Sequence, residues 1–363
     1  MSDLTQKHLH EHVLGSILGA SLGDAMGAAT EQWHIDEIIA EYGGLLREII
    51  MPPADTFSWW GQKGFVTDDC SQMFALARAI ITDNGSLTRD TWVQEFLKWS
   101  RESRNKLQMG PSTRPIMEAI ARGESIDNLR IVGNPEKSTR HHTDFGASNG
   151  AAMRVGPAGM IHPGDIEGAV RVAWTNCYPT HTTQIAGAGA GAIAAGTAMA
   201  LLPDAEVWSV VKASLEGAKL GEALGVKEGR KVAGASVYVR IEIAVEQALR
   251  ARDFEDAIRR IQDAIGNGLP MSEAPPAAVG IFVAANGDPL EAAVGCTNLG
   301  NDSDTVGAMA GAMAGALRGA QAIPQHMRDL LIEANKDEGD IPALADGLTR
   351  IAWKHWQARA SVL

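Results

Sequence analysis

The chain has 363 residues, 45% of them hydrophobic, with a formal net charge of −12 and an isoelectric point near 5.3. A chain of this size and apolar content can bury a large core. Its acidic balance argues against a nucleic-acid partner or an anionic membrane surface, because both require a basic face.

The cysteines and the N-terminus bear on the cellular location. Three widely separated cysteines, with no CxxC pair, are typical neither of a disulfide framework nor of a zinc ribbon. The N-terminal segment lacks the apolar region of a signal peptide, so the sequence predicts a cytoplasmic protein. Residues 185–202 form a charge-free run near the lower length limit for a membrane span. Because this run is mostly Gly and Ala and ends at Pro203, we interpret it as a helix buried in a core.

Helical periodicity extends through most of the chain, whereas alternating strand patterns are scarce. Apolar residues recur at helical spacing in residues 71–81 and 241–265, and Thr88 is positioned to cap a further helix. Residues 45–50 and 237–241 are too short to be assigned as strands. We therefore predict one all-α domain over the whole chain.

Many glycines alternate with small apolar residues at four-residue spacing. This spacing puts each set along one face of a helix, where the missing side chain lets a second helix approach closely. Since an isolated Gly costs a helix about 1 kcal/mol relative to Ala, such rows need a packing reason. The sets are Gly15, Gly19, Gly23 and Gly27, and Gly307, Gly311 and Gly315.

The most informative feature is a pair of aspartate clusters, each at the start of a long apolar stretch. The first is Thr67-Asp68-Asp69, and the second covers residues 301–305 with Asp302, Asp304 and Thr305. Carboxylate and hydroxyl oxygens without His or Cys are the ligands that Mg²⁺, Mn²⁺ and Ca²⁺ prefer. If the fold brings the clusters together, their four carboxylates carry about −4, which two divalent ions would balance.

Each cluster also has a purely structural interpretation. One acceptor before an apolar helix is enough for an N-cap, so the first cluster alone leaves both a cap and a metal site open. Its consecutive aspartates are expected in a non-helical turn, where they point in different directions. In the second cluster, Asp302 and Asp304 are expected on one side of an extended entry to a helix, with Thr305 as a further oxygen ligand.

Two more acidic residues lie near the first glycine row. Asp24 falls inside an apolar helix, where a carboxylate is costly unless it is paired or bound to a metal, and we favour a core hydrogen bond for it. Glu31 follows at a point where the helix could end facing a cleft.

Loops are predicted at residues 51–64 and 133–148, each just before a motif, where they would form a pocket rim. Trp59, Trp60 and Tyr178 are candidates for stacking on a base, although packing of a loop onto the core is the favoured alternative.

Several weaker patterns complete the survey. Residues 148–154 could bind phosphate through backbone N–H groups, although Asn-Gly alone usually marks only a turn. His181 alone is more typical of a satisfied polar group near a helix cap. The glycine run at residues 187–191 lacks the preceding strand of a dinucleotide-binding motif. A terpenoid synthase, another all-α Mg²⁺ enzyme, is disfavoured because its aspartate motif lies in mid-helix and because aromatic residues make up only 5% of this chain.

Together these segments resemble the ADP-ribosylglycohydrolase family, which includes the dinitrogenase-reductase-activating glycohydrolase. The resemblance extends over residues 13–317, with residues 320–363 expected as peripheral helices. The chain differs from the common family pattern at Cys70, Asn301 and Ser303, which bears on the substrate more than on the metals. The motifs that carry the resemblance are residues 19–27 with Glu31, Thr67-Asp68-Asp69, residues 110–114, residues 148–154, Thr180-His181 and residues 300–305.

The resemblance implies an all-α, orthogonally packed multi-helix fold with two Mg²⁺ or Mn²⁺ ions as cofactors. It maps the metal ligands onto Thr67, Asp68, Asp69, Asp302, Asp304 and Thr305. Glu31 matches a glutamate beside the metals and is, with Asp302, a catalytic candidate. The residues expected to contact the substrate are Ser148, Asn149, Gly150, Met153, Arg154 and His181.

The expected activity is hydrolysis of the glycosidic bond at the anomeric carbon of an ADP-ribosyl group, on a protein side chain or a small ADP-ribose derivative. Neither a nucleic-acid partner nor a membrane is expected, and the sequence does not determine the oligomeric state. One alternative is a hydrolase of the same fold that acts on a small nucleoside-like ribosyl compound, which residues 51–64 and the surroundings of Asn149 would decide. The other is a non-catalytic binding protein, against which the four intact aspartates argue.

Overall fold

The computed structural model describes residues 4–125 and 146–361, so most of the loop predicted at residues 133–148 lies outside the described part. Helices follow one another through short connections. Their bounds are α1 Gln6–Gly27, α2 Ile35–Tyr42, α3 Asp68–Thr82, α4 Arg89–Glu102, α5 Thr113–Ala121, α6 Gly150–Met153, α7 Gly156–Met160, α8 Ile166–Cys177, α9 Gln184–Ala200, α10 Val207–Glu228, α11 Val237–Arg250, α12 Phe254–Ile265, α13 Ala274–Ala284, α14 Pro289–Leu299, α15 Ser303–Arg318, α16 Gln325–Asn335 and α17 Ile341–Ala360.

The predicted all-α class is confirmed. Within residues 4–125 and 146–361 no strand forms, and the β-structure consists of two isolated bridges, Ser148 with Pro270 and Thr183 with Arg230. Of the two ambiguous segments, residues 237–241 begin α11, whereas residues 45–50 are irregular. Thr88 caps α4 as predicted, because its side chain accepts a hydrogen bond from the Thr91 N–H.

The glycine rows have the packing role that their spacing predicted. Helices α1 and α15 are antiparallel and meet glycine against glycine, in the pairs Gly15 with Gly315, Gly19 with Gly311 and Gly23 with Gly307. A Cβ added to any of these residues would overlap backbone of the opposite helix. The contact therefore brings the C-terminal end of α1 next to the N-terminal start of α15.

The charge-free run is a buried helix of the same kind. Helix α9 contains most of it and packs on α10 through Gly187 with Gly221 and Gly191 with Gly217. None of the helices in the described residues is long and apolar enough to cross a bilayer.

The C-terminal segment is helical as predicted, but it is not confined to the periphery. Leu348, Ile351 and Ala352 of α17 are buried in the same hydrophobic cluster as the side chains of α1 and α3. The burial of this segment was not predicted from the sequence, because charged and apolar residues are mixed along it. Such a pattern indicates an amphipathic helix but does not show how deeply its apolar face is buried.

A candidate metal centre lined by carboxylates

The first aspartate cluster begins helix α3, and a buried carboxylate of α1 holds it in place. Asp24 accepts hydrogen bonds from the backbone N–H of Thr67 at 2.8 Å and of Cys70 at 2.9 Å. It thus satisfies N–H groups at a helix start, which have no partner within the helix. The core hydrogen bond favoured for Asp24 is confirmed.

Thr67 is the N-cap of α3, and the two aspartates occupy the first helical turn. The Thr67 side chain accepts from the Asp69 N–H at 3.3 Å and donates to the Asp69 carboxylate at 2.9 Å. The expectation of a non-helical turn at Asp68 and Asp69 was therefore wrong. Thr67 alone provides the side-chain cap, which leaves both carboxylates available for another role.

The second cluster lies at the start of α15, tied to the segment that follows α1. Gly300 and Asn301 have φ values of 70° and 50°, which turn the chain sharply before the helix. The Gln32 N–H donates to the Asn301 carbonyl at 2.7 Å, and the Asn301 N–H donates to the Trp33 carbonyl at 3.0 Å. Asp302 precedes the helix, but Asp304 lies in its first turn rather than in an extended entry.

The two clusters and Glu31 converge on one cleft. Carboxylate oxygens of Glu31, Asp302 and Asp304 lie within 4.8 Å of one another. The Thr305 side chain interacts with the carboxylates of both Asp69 and Asp302 and lowers the pKa of each, so it lies between the two clusters. Acidic groups far apart in the sequence are thus brought together by the contact between α1 and α15.

Burial of so many acids in one place makes their ionisation costly. Desolvation, followed by repulsion from Asp302 and Asp69, raises the pKa of Glu31 to about 8. Desolvation and the neighbouring Asp69 raise the pKa of Asp302 to about 7. Desolvation by burial also raises the pKa of Asp68 and of Asp304 well above the usual range. Among the described residues that line the cleft, no cationic side chain offsets these carboxylates.

The donor atoms fit a hard divalent cation. Glu31 Oε2, Asp69 Oδ1 and Asp304 Oδ1 are buried and make no hydrogen bond within the described part of the chain. Leaving a buried charged oxygen without a partner is expensive, and buried polar atoms without partners are rare. The described lining of the cleft contains carboxylate, hydroxyl and amide oxygens but no His or Cys, which is the ligand set for Mg²⁺ or Mn²⁺.

The cleft has a volume of about 230 Å³ and brings together most of the predicted site residues. Predicted residues on its wall are Glu31, Asp68, Asp69, Ser148, Asn149, Gly150, Met153, Asp302, Asp304 and Thr305. Asn149 donates a hydrogen bond from its side-chain amide to Asp302, which fixes that carboxylate.

Thr67, Arg154 and His181 are not part of the described wall. Arg154 is fully buried and donates to Gln72 at 2.8 Å, to Asn176 at 2.8 Å and to Thr180 at 3.0 Å. Gln72 in turn donates to Asp68 at 2.7 Å, so Arg154 reaches the metal site through one side chain. The structure therefore places Arg154 behind the cleft rather than in contact with its contents.

His181 supports the wall from behind. It is fully buried, and its Nε2 lies 2.9 Å from the Ser148 hydroxyl. A Cβ on Gly150 would meet the His181 ring at 2.8 Å, so the glycine allows this close contact. Desolvation and then the charge of Arg154 lower the pKa of His181 well below the usual range, which keeps the imidazole neutral.

Sequence reasoning missed several contributors to the site. Gln72 connects Arg154 to Asp68, and its four-residue separation from Asp68 on one helix was the only available signal. Gln108, Met109 and Leu269 line the cleft without any sequence signal, whereas Phe57 lies in the loop at residues 51–64 that was predicted to form a pocket rim.

The aromatic candidates divide into two kinds. Tyr178 is buried, with the Arg89 guanidinium 4.5 Å from its ring centroid. Trp59 and Trp60 are 61% and 40% exposed, so the favoured alternative of packing onto the core was wrong for them.

Fold and site together define an all-α protein with a buried carboxylate centre suited to hard cations. Residues 5–358 match the ADP-ribosylglycohydrolase family, and the chain belongs to that family. The match extends beyond the 13–317 range of the sequence motifs and supports assignment as a hydrolase.

Three relatives illustrate the similarity. The chain is 32% identical to the uncharacterized protein YegU of Escherichia coli (strain K12), over 90% of this chain and 93% of that protein. It is 27% identical to an uncharacterized protein of Archaeoglobus fulgidus, over 79% of this chain and 81% of that protein. A solved ADP-ribosylglycohydrolase-related protein complex shares the fold, with a TM-score of 0.65 and 23% identity over 95% of this chain and 99% of that chain.

Proposed function

We propose that the protein is a metal-dependent hydrolase that cleaves the glycosidic bond at the anomeric carbon of an ADP-ribosyl or related ribosyl group. The observation that carries the proposal is the convergence of Glu31, Asp302 and Asp304 within 4.8 Å, next to Asp68 and Asp69 in one cleft. The activity is proposed for the cytoplasm, with a small or protein-attached ribosyl substrate as partner.

Six residues would hold two Mg²⁺ or Mn²⁺ ions. Bound there, the ions would supply positive charge that balances the carboxylates and polarises substrate oxygens. Asn149 holds Asp302 by a hydrogen bond, and Thr305 joins Asp302 to Asp69, so the carboxylates keep their relative positions. The six are Thr67, Asp68, Asp69, Asp302, Asp304 and Thr305.

Glu31 is the proposed general base. Its Oε2 has no hydrogen-bond partner among the described residues and lies on the cleft, where it can accept a proton from an attacking water. Burial raises the pKa of Glu31 to about 8 in the metal-free site, and adjacent cations would lower it and so favour the ionised form that a general base needs.

Glycosidic cleavage develops positive, oxocarbenium-like character at the anomeric carbon. Carboxylates that are already in position stabilise such charge without reorganising. Asp302, which lines the cleft with Glu31, is the residue we assign to this role. Ser148, Asn149, Gly150 and Met153, which also line the cleft, are proposed to contact the ribosyl group.

A second candidate substrate class is a small nucleoside-like riboside. It is favoured by one observation: within the described ranges, the residues lining the cleft include no Lys, Arg or His to pair with a diphosphate. A nucleoside-like compound needs no such partner.

The test is a hydrolysis panel with ADP-ribosyl-arginine, ADP-ribosyl-serine, O-acetyl-ADP-ribose and simple nucleosides, each with and without Mg²⁺ or Mn²⁺. The variant is Asp302→Ala with Asp304→Ala, and the matched control is Asp346→Ala, an exposed carboxylate of α17. We expect metal-dependent turnover in wild type and control, and none in the double variant. Turnover that is insensitive to EDTA, or equal in the double variant, would refute the mechanism. Calorimetry should detect Mn²⁺ uptake by wild type and a large loss of it in the double variant.

A further inference from the structure

Three exposed aromatic side chains lie together, and one of them lines the cleft. Phe57 lines the cleft and is 45% exposed. Its ring centroid lies 6.0 Å from that of Trp60, and the Trp60 ring lies 6.0 Å from the ring of Trp59, perpendicular to it. We call Phe57, Trp59 and Trp60 the aromatic patch. A contiguous exposed apolar surface of this kind typically marks a binding site.

The aromatic patch is attached directly to the proposed general base. Ser58, between Phe57 and Trp59, is only 4% exposed. Its hydroxyl accepts a hydrogen bond from the Gln108 side chain at 2.9 Å and interacts with the Glu31 carboxylate. Further hydrogen bonds, from the Trp59 N–H to the Thr56 carbonyl and from the Gly61 N–H to the Ser58 carbonyl, shape the loop. Phe57 and Trp59 of the aromatic patch are therefore the sequence neighbours of Ser58, which interacts with the proposed general base Glu31.

Further apolar residues line the cleft beside the aromatic patch. Met109, Pro111 and Leu269 line the cleft with Phe57, and Leu269 is 52% exposed. Among the described lining residues of the cleft, these apolar side chains offer contact area rather than charge. An uncharged or delocalised ring suits them, because stacking requires only a flat π-face.

We propose that the aromatic patch is a substrate subsite that binds a planar aromatic ring attached at the anomeric carbon of the ribosyl group. Phe57 and Glu31 line the same cleft, and Phe57 precedes Ser58, which interacts with Glu31. The aromatic patch is therefore close to the anomeric carbon, and it suits a ring bonded there better than a ring at the far end of a diphosphate. The substrate class is then a nucleoside-like riboside. This inference rests on the proposed function, because it assumes that ribosyl cleavage occurs at the carboxylates.

The experiment compares two substrates that share the ribosyl group, 4-nitrophenyl riboside with a ring and 1-O-acetyl riboside without one. Their intrinsic reactivities differ, so the measured quantity is the ratio of variant to wild-type kcat/KM for each substrate. The variants are Trp60→Ala and Trp60→Phe. The matched control is Trp208→Ala, a tryptophan that is 45% exposed at the start of α10 and is absent from the cleft lining.

We expect Trp60→Ala to lower kcat/KM on the aryl riboside on the order of 10-fold, as for loss of one stacking partner. The loss on the acetyl riboside should be at least several-fold smaller, Trp60→Phe should retain most of the aryl activity, and the control should affect neither substrate. Equal losses on both substrates, or no loss on the aryl riboside, would overturn the inference while leaving the hydrolase proposal intact.

A wild-type protein that hydrolyses neither riboside with Mg²⁺ or Mn²⁺ would count against the proposed function instead. The subsite is then tested by binding, through quenching of tryptophan fluorescence on titration with 4-nitrophenyl riboside, corrected for absorption by the ligand. Weaker binding to Trp60→Ala than to Trp208→Ala supports the subsite, and equal binding to both refutes it. Thermal unfolding of each variant confirms that an exposed substitution has left the fold intact.

Discussion

A single added methyl group at Gly23 should weaken both the fold and the metal site. In Gly23→Ala the new Cβ would overlap the backbone of Gly307, so α1 and α15 must move apart. Helix propensity favours Ala by about 1 kcal/mol. Overpacking costs about 1–3 kcal/mol, and the upper end applies because backbone rather than a flexible side chain is in the way. The net destabilisation is about 2 kcal/mol.

The expected result is a melting temperature lowered by about 3 °C, because an unfolding entropy of about 2.1 cal/mol/K per residue makes 1 kcal/mol correspond to roughly 1.3 °C in a chain of 363 residues. Calorimetry should also show weaker Mn²⁺ binding, because Asp24 of α1 holds the helix start that carries Asp69, and the separation moves Asp69 away from Asp304. Gly191→Ala is the matched control: its Cβ would overlap Gly217 at the contact of α9 with α10, outside the site. It should lose stability without losing Mn²⁺ affinity. Unchanged stability in Gly23→Ala, or equal Mn²⁺ loss in both variants, would refute the reasoning.

Three further predictions concern the charges of the site. Glu31→Gln should lower kcat on the order of 100-fold or more, while its Mn²⁺ content, measured by elemental analysis, is preserved. Full activity in this variant would show that Glu31 is not the general base but only a ligand or a gate. Burial raises the pKa of Asp24 and of Asp302 to about 7, above their unfolded values, so the folded metal-free protein binds more protons than the unfolded chain. Its melting temperature in EDTA should therefore fall as the pH rises from about 5 to about 7.5, and saturating Mn²⁺ should reduce that fall. A melting temperature in EDTA that does not change with pH would contradict the predicted pKa shifts. Gln72→Ala removes the link between Arg154 and Asp68 and should cost about 1–3 kcal/mol in thermal unfolding, whereas an unchanged melting temperature would show that water replaces it.

Local spacing predicted much of this architecture. The two glycine rows indicated close helix contacts, and the aspartate clusters indicated oxygen ligands. That Gly23 meets Gly307 rather than some other small residue follows from the tertiary arrangement, which periodicity does not contain. The helical start at Asp68 was missed because the local preference for a cap does not reveal which member of Thr67-Asp68-Asp69 provides it.

Residues in the second layer of the site were harder to predict. Arg154 is the last residue of a motif that suggests phosphate contact. Its guanidinium is instead held in the interior by hydrogen bonds to Asn176 and Gln72, which are distant in the sequence. Phe57 lies in an irregular loop, where no repeat of apolar residues shows which side chain faces the cleft. Sequence patterns thus identified the ligand-bearing elements better than the apolar walls around them.

The packing of α1 against α15 also explains why the carboxylates of the site stay close together when they ionise. Gly27, the last of its row, faces the backbone of Asp304 instead of another glycine, and the Ser303 hydroxyl donates to the Gly27 carbonyl at 2.9 Å. The entry to α15 is therefore held by backbone contacts with little room to relax. Carboxylates fixed in this way cannot turn toward solvent when they ionise, so their repulsion must be compensated in place. Because the nearby Arg154 reaches Asp68 only through Gln72, bound protons compensate this repulsion in the metal-free protein, and bound cations take over that role in the function we propose.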